Sequence, residues 1–133
     1  MIRKAKPEDL NGCLLLLKRF SDGILELGAQ TFVCQQGENI AGFVICKVLD
    51  NRLPFGVTQR IGQIDTIIVD KNLGNYGYIM HLLYDRAEKY FEDVGCQAAD
   101  AMIVASNDNL CQYALNRGAH RRTPQVIVYR KEL

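Results

Sequence analysis

Residues 64–83 read IDTIIVDKNLGNYGYIMHLL, the most informative segment of the sequence. The apolar run at 67–69 is typical of the end of a buried strand, and a turn that contains Gly74 and Gly77 follows it. Apolar residues then recur at helical spacing as far as Gly95, a residue type that commonly ends helices. The segment is therefore predicted to form a strand, a glycine-bearing turn and a long helix.

The sequence predicts further strands and helices on both sides of this segment. They are a strand at 1–4, a helix from Pro7, a short helix at 24–27, strands at 31–36, 40–49 and 62–69, a loop at 50–59, a strand at 98–104, a helix at 110–117 and a strand at 126–129. Three strands in succession argue against a doubly wound sheet. They favour an α/β (α+β) protein with a mixed sheet, antiparallel at first and parallel around the strand–helix–strand unit.

Length and charge limit the classes of protein to consider. The chain has 133 residues, which predicts one domain over residues 1–133. Its 16 basic and 15 acidic residues leave a formal net charge of +1, so no overall field attracts nucleic acid. Its apolar runs are much shorter than the roughly 20 residues of a membrane span. We expect a cytoplasmic protein with neither a nucleic-acid partner nor a membrane.

The cysteines and histidines do not form a metal-binding pattern. The five cysteines are Cys13, Cys34, Cys46, Cys96 and Cys111. Their number is odd, and no pair has the two-residue spacing of a zinc or redox site. Buried, reduced thiols are therefore expected. The two histidines, His81 and His120, are isolated in the sequence, and we predict no metal.

The turn at 74–77 is a candidate anion site. The first amides of a helix have no partner within the helix, and they carry a partial positive charge. A glycine there lets a phosphate approach the backbone without meeting a Cβ atom. The alternative is a plain turn, since glycine-containing turns between strands and helices are common.

Nearly the whole chain resembles the GCN5-related N-acetyltransferase (GNAT) superfamily. The resemblance begins with the strand at 2–5 and Pro7-Glu8-Asp9-Leu10, and it continues through Ile40-Ala41-Gly42-Phe43. It includes the strand and helix of 64–83, then Asn107 and a helix that ends at Gly118. It implies a mixed sheet of six or seven strands with about four helices, in which strands 4 and 5 splay apart to hold acetyl-CoA.

The resemblance also implies which residues contact the coenzyme. The end of strand 4, at Ile67, Ile68 and Val69, is similar to the edge that pairs with pantetheine. The residues similar to the diphosphate loop are Gly74, Asn75, Tyr76, Gly77 and Tyr78. In the family's Arg/Gln-x-x-Gly-x-Gly/Ala pattern only Gly77 agrees, because Gly74 replaces the Arg or Gln and Ile79 replaces the small residue.

Two residues are candidates for proton transfer. Asp65 lies where many members of the family carry an acidic residue that acts through water, and an ion pair with a nearby Lys or Arg is the alternative reading. Asn107 matches the family's Asn on the coenzyme side, but seven residues later the family's Tyr falls on Ala114. Tyr113, one residue earlier, is the candidate acid, and packing on a helix face is its alternative.

The resemblance implies an N-acetyltransferase that moves an acetyl group from acetyl-CoA to a primary amine of a small molecule or a protein. The changed loop pattern keeps a second hypothesis open, a catalytically weak or inactive module that binds acyl-CoA or a protein partner. A sensor of amino acids or nucleotides on an unrelated mixed sheet is a third. A homodimer through paired edge strands is also left open.

Overall fold

The computed structural model describes residues 2–20, 30–52, 54–103, 108–121 and 127–133. Its elements in chain order are β1 (Ile2–Lys4), a 3-10 turn (Pro7–Asp9), α1 (Leu10–Phe20), β2 (Gln30–Gln36), β3 (Asn39–Arg52), a 3-10 turn (Pro54–Gly56), β4 (Thr58–Val69), α2 (Tyr76–Asp93), β5 (Ala98–Ile103), α3 (Asp108–Asn116), β6 (His120–Arg121) and β7 (Ile127–Glu132). The short helix expected at 24–27 lies outside the described residues.

The strands form one mixed sheet in the order β1-β2-β3-β4-β5-β7-β6. β1 and β2, β2 and β3, β5 and β7, and β6 and β7 pair antiparallel, whereas β4 and β5 pair parallel. Parallel neighbours need a long crossover, and α2 supplies it here. The predicted mixed α/β fold is therefore confirmed, with seven strands and, among the described residues, three α-helices.

Half of the loop expected at 50–59 is strand. β3 continues to Arg52 and β4 begins at Thr58, and a 3-10 turn (Pro54–Gly56) lies between them. The polar residues here show no apolar alternation. An ion pair between Arg60 Nε and Asp50 Oδ1, 2.8 Å apart, joins the two arms instead. β6 was also not predicted, since it has only two residues.

The chain divides into two compact units. Unit 1 consists of Met1–Cys46 and Thr66–Lys89, and unit 2 consists of Lys47–Asp65 and Tyr90–Leu133. β3, β4 and α2 each contribute residues to both units. That the chain is a single domain over 1–133 stays a prediction.

In unit 1, α1 packs on one face of the sheet. The buried core residues on this side are Cys13, Leu16, Leu17, Val33, Phe43 and Ile45. α2 covers the other face, because successive strand residues point to opposite sides. At Gly42, a Cβ atom would lie 3.1 Å from both Leu83 Cδ1 and Val69 Cγ2. The absence of a side chain at Gly42 thus lets α2 and β4 pack closely.

In unit 2, the end of α2 is fixed to the base of β4. Arg60 Nη1 donates a 2.7 Å hydrogen bond to Val94 O, and Gln97 N donates to Arg60 O at 2.9 Å. Gly62 lies against the buried ring of Phe91, where an added Cβ atom would be only 2.4 Å from Phe91 Cγ. These contacts set the course of the chain from α2 into β5.

A buried ion pair fixes the start of α1 in unit 1. Arg3 Nη1 and Nη2 donate to Asp9 Oδ2 and Oδ1 at 2.6 and 2.9 Å. Lys6 N donates to Asp9 Oδ2 at 2.7 Å, and Arg3 also donates to Gln35 Oε1. Asp9 is almost fully buried, so its charge is stabilised by this guanidinium and this amide.

We expect Asp9→Asn to lower the free energy of unfolding at pH 7 by about 2 kcal/mol, since hydrogen bonds to a charged group are lost. The Arg3 hydrogen bond holds the pKa of Asp9 below its ordinary value. The stabilisation is therefore present above the unfolded-state pKa of about 4 and is lost as the pH falls through the lower folded-state value. Urea unfolding between pH 7 and acid should show the difference from wild type shrinking.

Glu8→Gln is the matched control for this variant, because it removes an exposed carboxylate one residue away. It should change the unfolding free energy by less than about 0.5 kcal/mol. Equal losses for the two variants at pH 7 would contradict a specific role for Asp9.

Candidate functional site

Asp70 shapes the turn between β4 and α2 in unit 1. Its backbone N–H donates to Ala41 O at 2.9 Å, which ties the end of β4 to the start of β3. Its side-chain Oδ1 accepts from Asn72 N at 3.0 Å, and its carbonyl accepts from Leu73 N at 3.2 Å. The sequence analysis missed this role, although an Asp side chain often forms a turn by accepting from the backbone N–H two residues later.

The turn delivers the chain to an open helix N-terminus. Tyr76 N donates to Leu73 O, and Ile79 N donates the first helical bond, 3.1 Å, to Asn75 O. The amides of Gly77 and Tyr78 lie in the first turn, where helix geometry provides no partner within the helix. Cβ atoms built on Gly74 and Gly77 meet nothing within 4 Å. An anion could therefore approach this turn without meeting another side chain at Gly74 or Gly77, and that the turn binds one stays a prediction.

The side chains of this first turn divide between solvent and core. Tyr76 and Tyr78 are exposed, Tyr78 by 58% of its surface. Ile79, at the position where the family has a small residue, is fully buried. Its side chain is therefore turned away from the solvent, whereas Gly77 and Tyr78 are exposed residues.

The end of β4 extends past its registered pairs with β5. Those pairs run from Ile61–Ala98 to Ile64–Ala101, while β4 itself continues to Val69. Ile68 packs beside the α1 cluster, and Val69 is buried. Ile67, Ile68 and Val69 therefore lead directly into the turn of Asp70, in the same unit as the helix N-terminus.

Asp65 lies in unit 2 and has a cationic neighbour. Its Oδ1 is 3.5 Å from Lys47 Nζ on β3, and both side chains are about three-quarters buried. The structure thus contains the ion pair that the sequence analysis held as the alternative reading. Lys47 could not be found from sequence, because the cross-strand register that brings it to Asp65 is not a local pattern.

Tyr113 lies on α3 in unit 2 and is partly buried. Its hydroxyl accepts a 3.2 Å hydrogen bond from Arg117 Nη1, and the Arg117 guanidinium carbon lies 5.5 Å from its ring centre. A phenol has one donor and two acceptor positions, and this contact uses an acceptor position. Asn107 lies outside the described residues. The candidate coenzyme residues from Ile67 to Tyr78 thus fall in unit 1, and Asp65 and Tyr113 in unit 2.

The described cysteines are buried thiols. Cys13, Cys34, Cys46 and Cys96 are buried and free, as predicted. Burial raises the pKa of Cys13 to about 11 and that of Cys46 to about 12, so both thiols are protonated at neutral pH. The side chain of Cys111 is not among those described. Within the described ranges, no three His, Cys, Asp or Glu residues could hold a metal ion.

In the part of the chain that the structure describes, no helix combines the length and apolarity that a membrane crossing requires.

Solved acetyltransferase structures share this fold. Arabidopsis thaliana NAA60 in complex with acetyl-CoA has a TM-score of 0.79 and 13% identity, with 100% of this chain and 99% of that chain covered. For the NatC complex bound to Gag peptide and CoA, the TM-score is 0.82 and the identity 12%, with 100% of this chain and 98% of that chain covered. For the Escherichia coli ribosomal-protein-S18-alanine N-acetyltransferase, the TM-score is 0.76 and the identity 15%, with 98% of this chain and 90% of that chain covered. At these identities the likeness shows the fold alone.

Comparison with curated protein sequences gives no match. The model of the acetyltransferase (GNAT) family matches residues 6–119, which include α1, the strands β2 to β5, α2 and α3. The match extends over most of the chain and includes the turn before α2. This protein therefore belongs to the GNAT acetyltransferase family.

Proposed function

We propose that this protein is an N-acetyltransferase that transfers the acetyl group of acetyl-CoA to a primary amine of a small molecule or a protein. One observation carries the proposal: the first turn of α2 is open to solvent, and it follows the end of β4, which continues beyond its last registered pair with β5. Family membership and the similar structures with acetyl-CoA or CoA in their names support it.

In this proposal the coenzyme binds mainly to backbone. The amides of residues 74–78 and the positive end of α2 hold the diphosphate. The backbone at Ile67, Ile68 and Val69 pairs with the pantetheine arm. Asn107 supplies a further contact on the coenzyme side. Because Gly74 replaces the family's Arg or Gln, the diphosphate depends on amides rather than on a charge-assisted side-chain contact.

In the proposed reaction the amine must lose a proton before it attacks the thioester carbonyl. Asp65 accepts that proton through a water molecule. A strand amide near Ile67 stabilises the oxyanion as the new amide bond forms. The C–S bond then breaks, and Tyr113 gives its proton to the CoA thiolate.

The second candidate is an inactive module that binds acyl-CoA or a protein partner. Two observations favour it. Gly74 lacks the side chain with which the family contacts the diphosphate, and Asp65 is paired with Lys47. The enzyme would turn acetyl-CoA over, whereas neither form of the inactive module would. Only the form that binds acyl-CoA would still bind acetyl-CoA.

We expect acetyl-CoA to bind and to stabilise the protein. At about 100 times its dissociation constant the gain is about 2.7 kcal/mol, which corresponds to a rise in melting temperature of about 10 °C. Gly77→Asp should weaken binding by about tenfold, because a carboxylate in the first turn of α2 repels the diphosphate. The same charge favours the helix N-terminus, so the melting temperature without ligand should not fall. Thermal shift and titration calorimetry measure both quantities.

Gly77→Asn is the matched control, because it has the same size as Asp without the charge. It should bind acetyl-CoA more tightly than Gly77→Asp. Equal binding by the wild type and Gly77→Asp would place the diphosphate elsewhere. No thermal shift at millimolar acetyl-CoA would exclude the enzyme and leave a protein-binding module. Binding without CoA release across a panel of amines and peptides would favour the inactive acyl-CoA module.

A further inference from the structure

Unit 1 contains a pocket of about 380 Å³ that the proposed reaction does not use. Its walls come from α1, from the β2–β3 hairpin and from the turn that Asp70 shapes. Gly12 brings α1 so close to β3 that an added Cβ atom would lie 2.8 Å from Ile40 Cγ1. This packing gives the pocket a firm floor, and its volume lies in the usual range for small-molecule sites.

The pocket contains one cation and one anion side by side. Arg19 Nη1 lies 3.6 Å from Asp70 Oδ2, and the Arg19 side chain is half exposed whereas that of Asp70 is mostly buried. A pair at 3.6 Å whose arginine is half exposed to solvent contributes little to stability. A ligand that offers a carboxylate to Arg19 and an ammonium group to Asp70 can therefore replace it at small cost.

Asp70 can accept such a ligand without loss of its structural role. Its Oδ1 accepts the hydrogen bond from Asn72 N that shapes the turn, whereas Oδ2 faces Arg19. An ammonium group at Oδ2 leaves the bond at Oδ1 intact. The pocket can therefore be filled while the turn before α2 keeps its shape.

The rest of the lining contains apolar residues beside the polar Gln36 and Asn39. Leu15, Leu16, Ile40 and Leu73 line the pocket, and Leu15 exposes 64% of its surface although it is a large apolar residue. An apolar group that covers Leu15 would remove this surface from water. The lining thus combines a pair of opposite charges with an apolar wall.

We propose that this pocket binds a small zwitterion of the α-amino acid type with an aliphatic side chain. Its carboxylate pairs with Arg19, its ammonium group with Asp70, and its side chain covers Leu15 and Leu73. The site is separate from the chemistry proposed above, and it requires neither acetyl-CoA nor turnover. Because Asp70 also shapes the turn before α2, an occupied pocket adds a ligand contact to the segment that leads to the proposed coenzyme site.

L-leucine is the probe. Titration calorimetry measures its binding, and NMR spectra of the ¹⁵N-labelled protein show which backbone amides it affects. We expect saturable binding without acetyl-CoA, with a dissociation constant of about 1 mM or below for a ligand of this size. The amide signals of Asn72 and Leu73 should shift. N-acetyl-L-leucine lacks the ammonium group and L-leucinamide lacks the carboxylate. Each should bind at least about tenfold more weakly.

Arg19→Gln and Asp70→Asn should each weaken L-leucine binding by at least about tenfold. Asp70→Asn keeps a side-chain oxygen for Asn72 N, so the turn should survive. Lys18→Gln, the exposed neighbour on α1, should bind like wild type. Absence of binding at about 10 mM L-leucine overturns the proposal. So does equal binding of N-acetyl-L-leucine or L-leucinamide, or binding that neither pocket variant weakens.

Discussion

Asp65→Asn is expected to lower kcat by at least about 100-fold, the usual loss when a general base is removed. Affinity for acetyl-CoA should stay near that of wild type, since Asp65 is proposed to act on the amine and not on the coenzyme. The part of the pH–rate profile that reports deprotonation of the base should disappear. The measurement is CoA release with whichever amine or peptide a panel screen finds to react fastest.

Lys47→Met is the control that separates a base from an ion pair. It breaks the same 3.5 Å contact but keeps the carboxylate. If Asp65 only holds Lys47, the two variants should lose the same activity and a similar amount of stability, because each removes one partner of the same largely buried pair. If Asp65 is the base, Asp65→Asn should lose far more activity than Lys47→Met. Cys111→Ala should also lose far less, and the reverse order would contradict the mechanism.

Gly62→Ala should have the largest effect on stability, a loss of about 3 kcal/mol in the free energy of unfolding. The new methyl group would lie 2.4 Å from Cγ and 2.5 Å from Cδ1 of the Phe91 ring, inside the contact distance of carbon atoms. Phe91 is fully buried, so its ring cannot move aside without disturbing the core of unit 2. Urea unfolding followed by circular dichroism measures the loss.

Combining Gly62→Ala with Phe91→Leu tests the cause of that loss. The smaller and non-planar leucine leaves room for the methyl group, so the alanine should cost at least about 1 kcal/mol less in this background. Gly74→Ala, whose added Cβ atom meets nothing within 4 Å, should stay within about 0.5 kcal/mol of wild type. An equal loss with either residue at position 91 would show that the ring contact is not responsible.

The elements that sequence predicts well have a local physical cause. The β2–β3 hairpin follows from β-forming residues around a turn with Gly37, and its strands meet at Gln36 and Asn39 as expected. α2 ends before Gly95, whose φ of +83° suits glycine better than other residues. Here the sequence pattern and the backbone geometry agree, so the order of the elements and the mixed sheet could be derived.

Other features depend on contacts between distant residues, which no local pattern contains. The arms of the β3–β4 hairpin are polar and were expected to be a loop, yet Asp50 and Arg60 join them across ten residues. The pairing of Lys47 with Asp65 and of Arg19 with Asp70 likewise depends on strand register and helix placement. The open turn before α2 was predicted, because its signal lies within a few residues.

The interleaving of the two units has a consequence for synthesis on the ribosome. All segments of unit 1 have been translated once Lys89 has been added, whereas unit 2 needs the chain as far as Leu133. Between those moments Lys47–Asp65 has emerged without the strands β5, β6 and β7 of its own unit. Vectorial folding therefore leaves the edge of β4 that pairs with β5 open until β5 has been made, and an open strand edge exposes a nascent chain to chaperones and to aggregation.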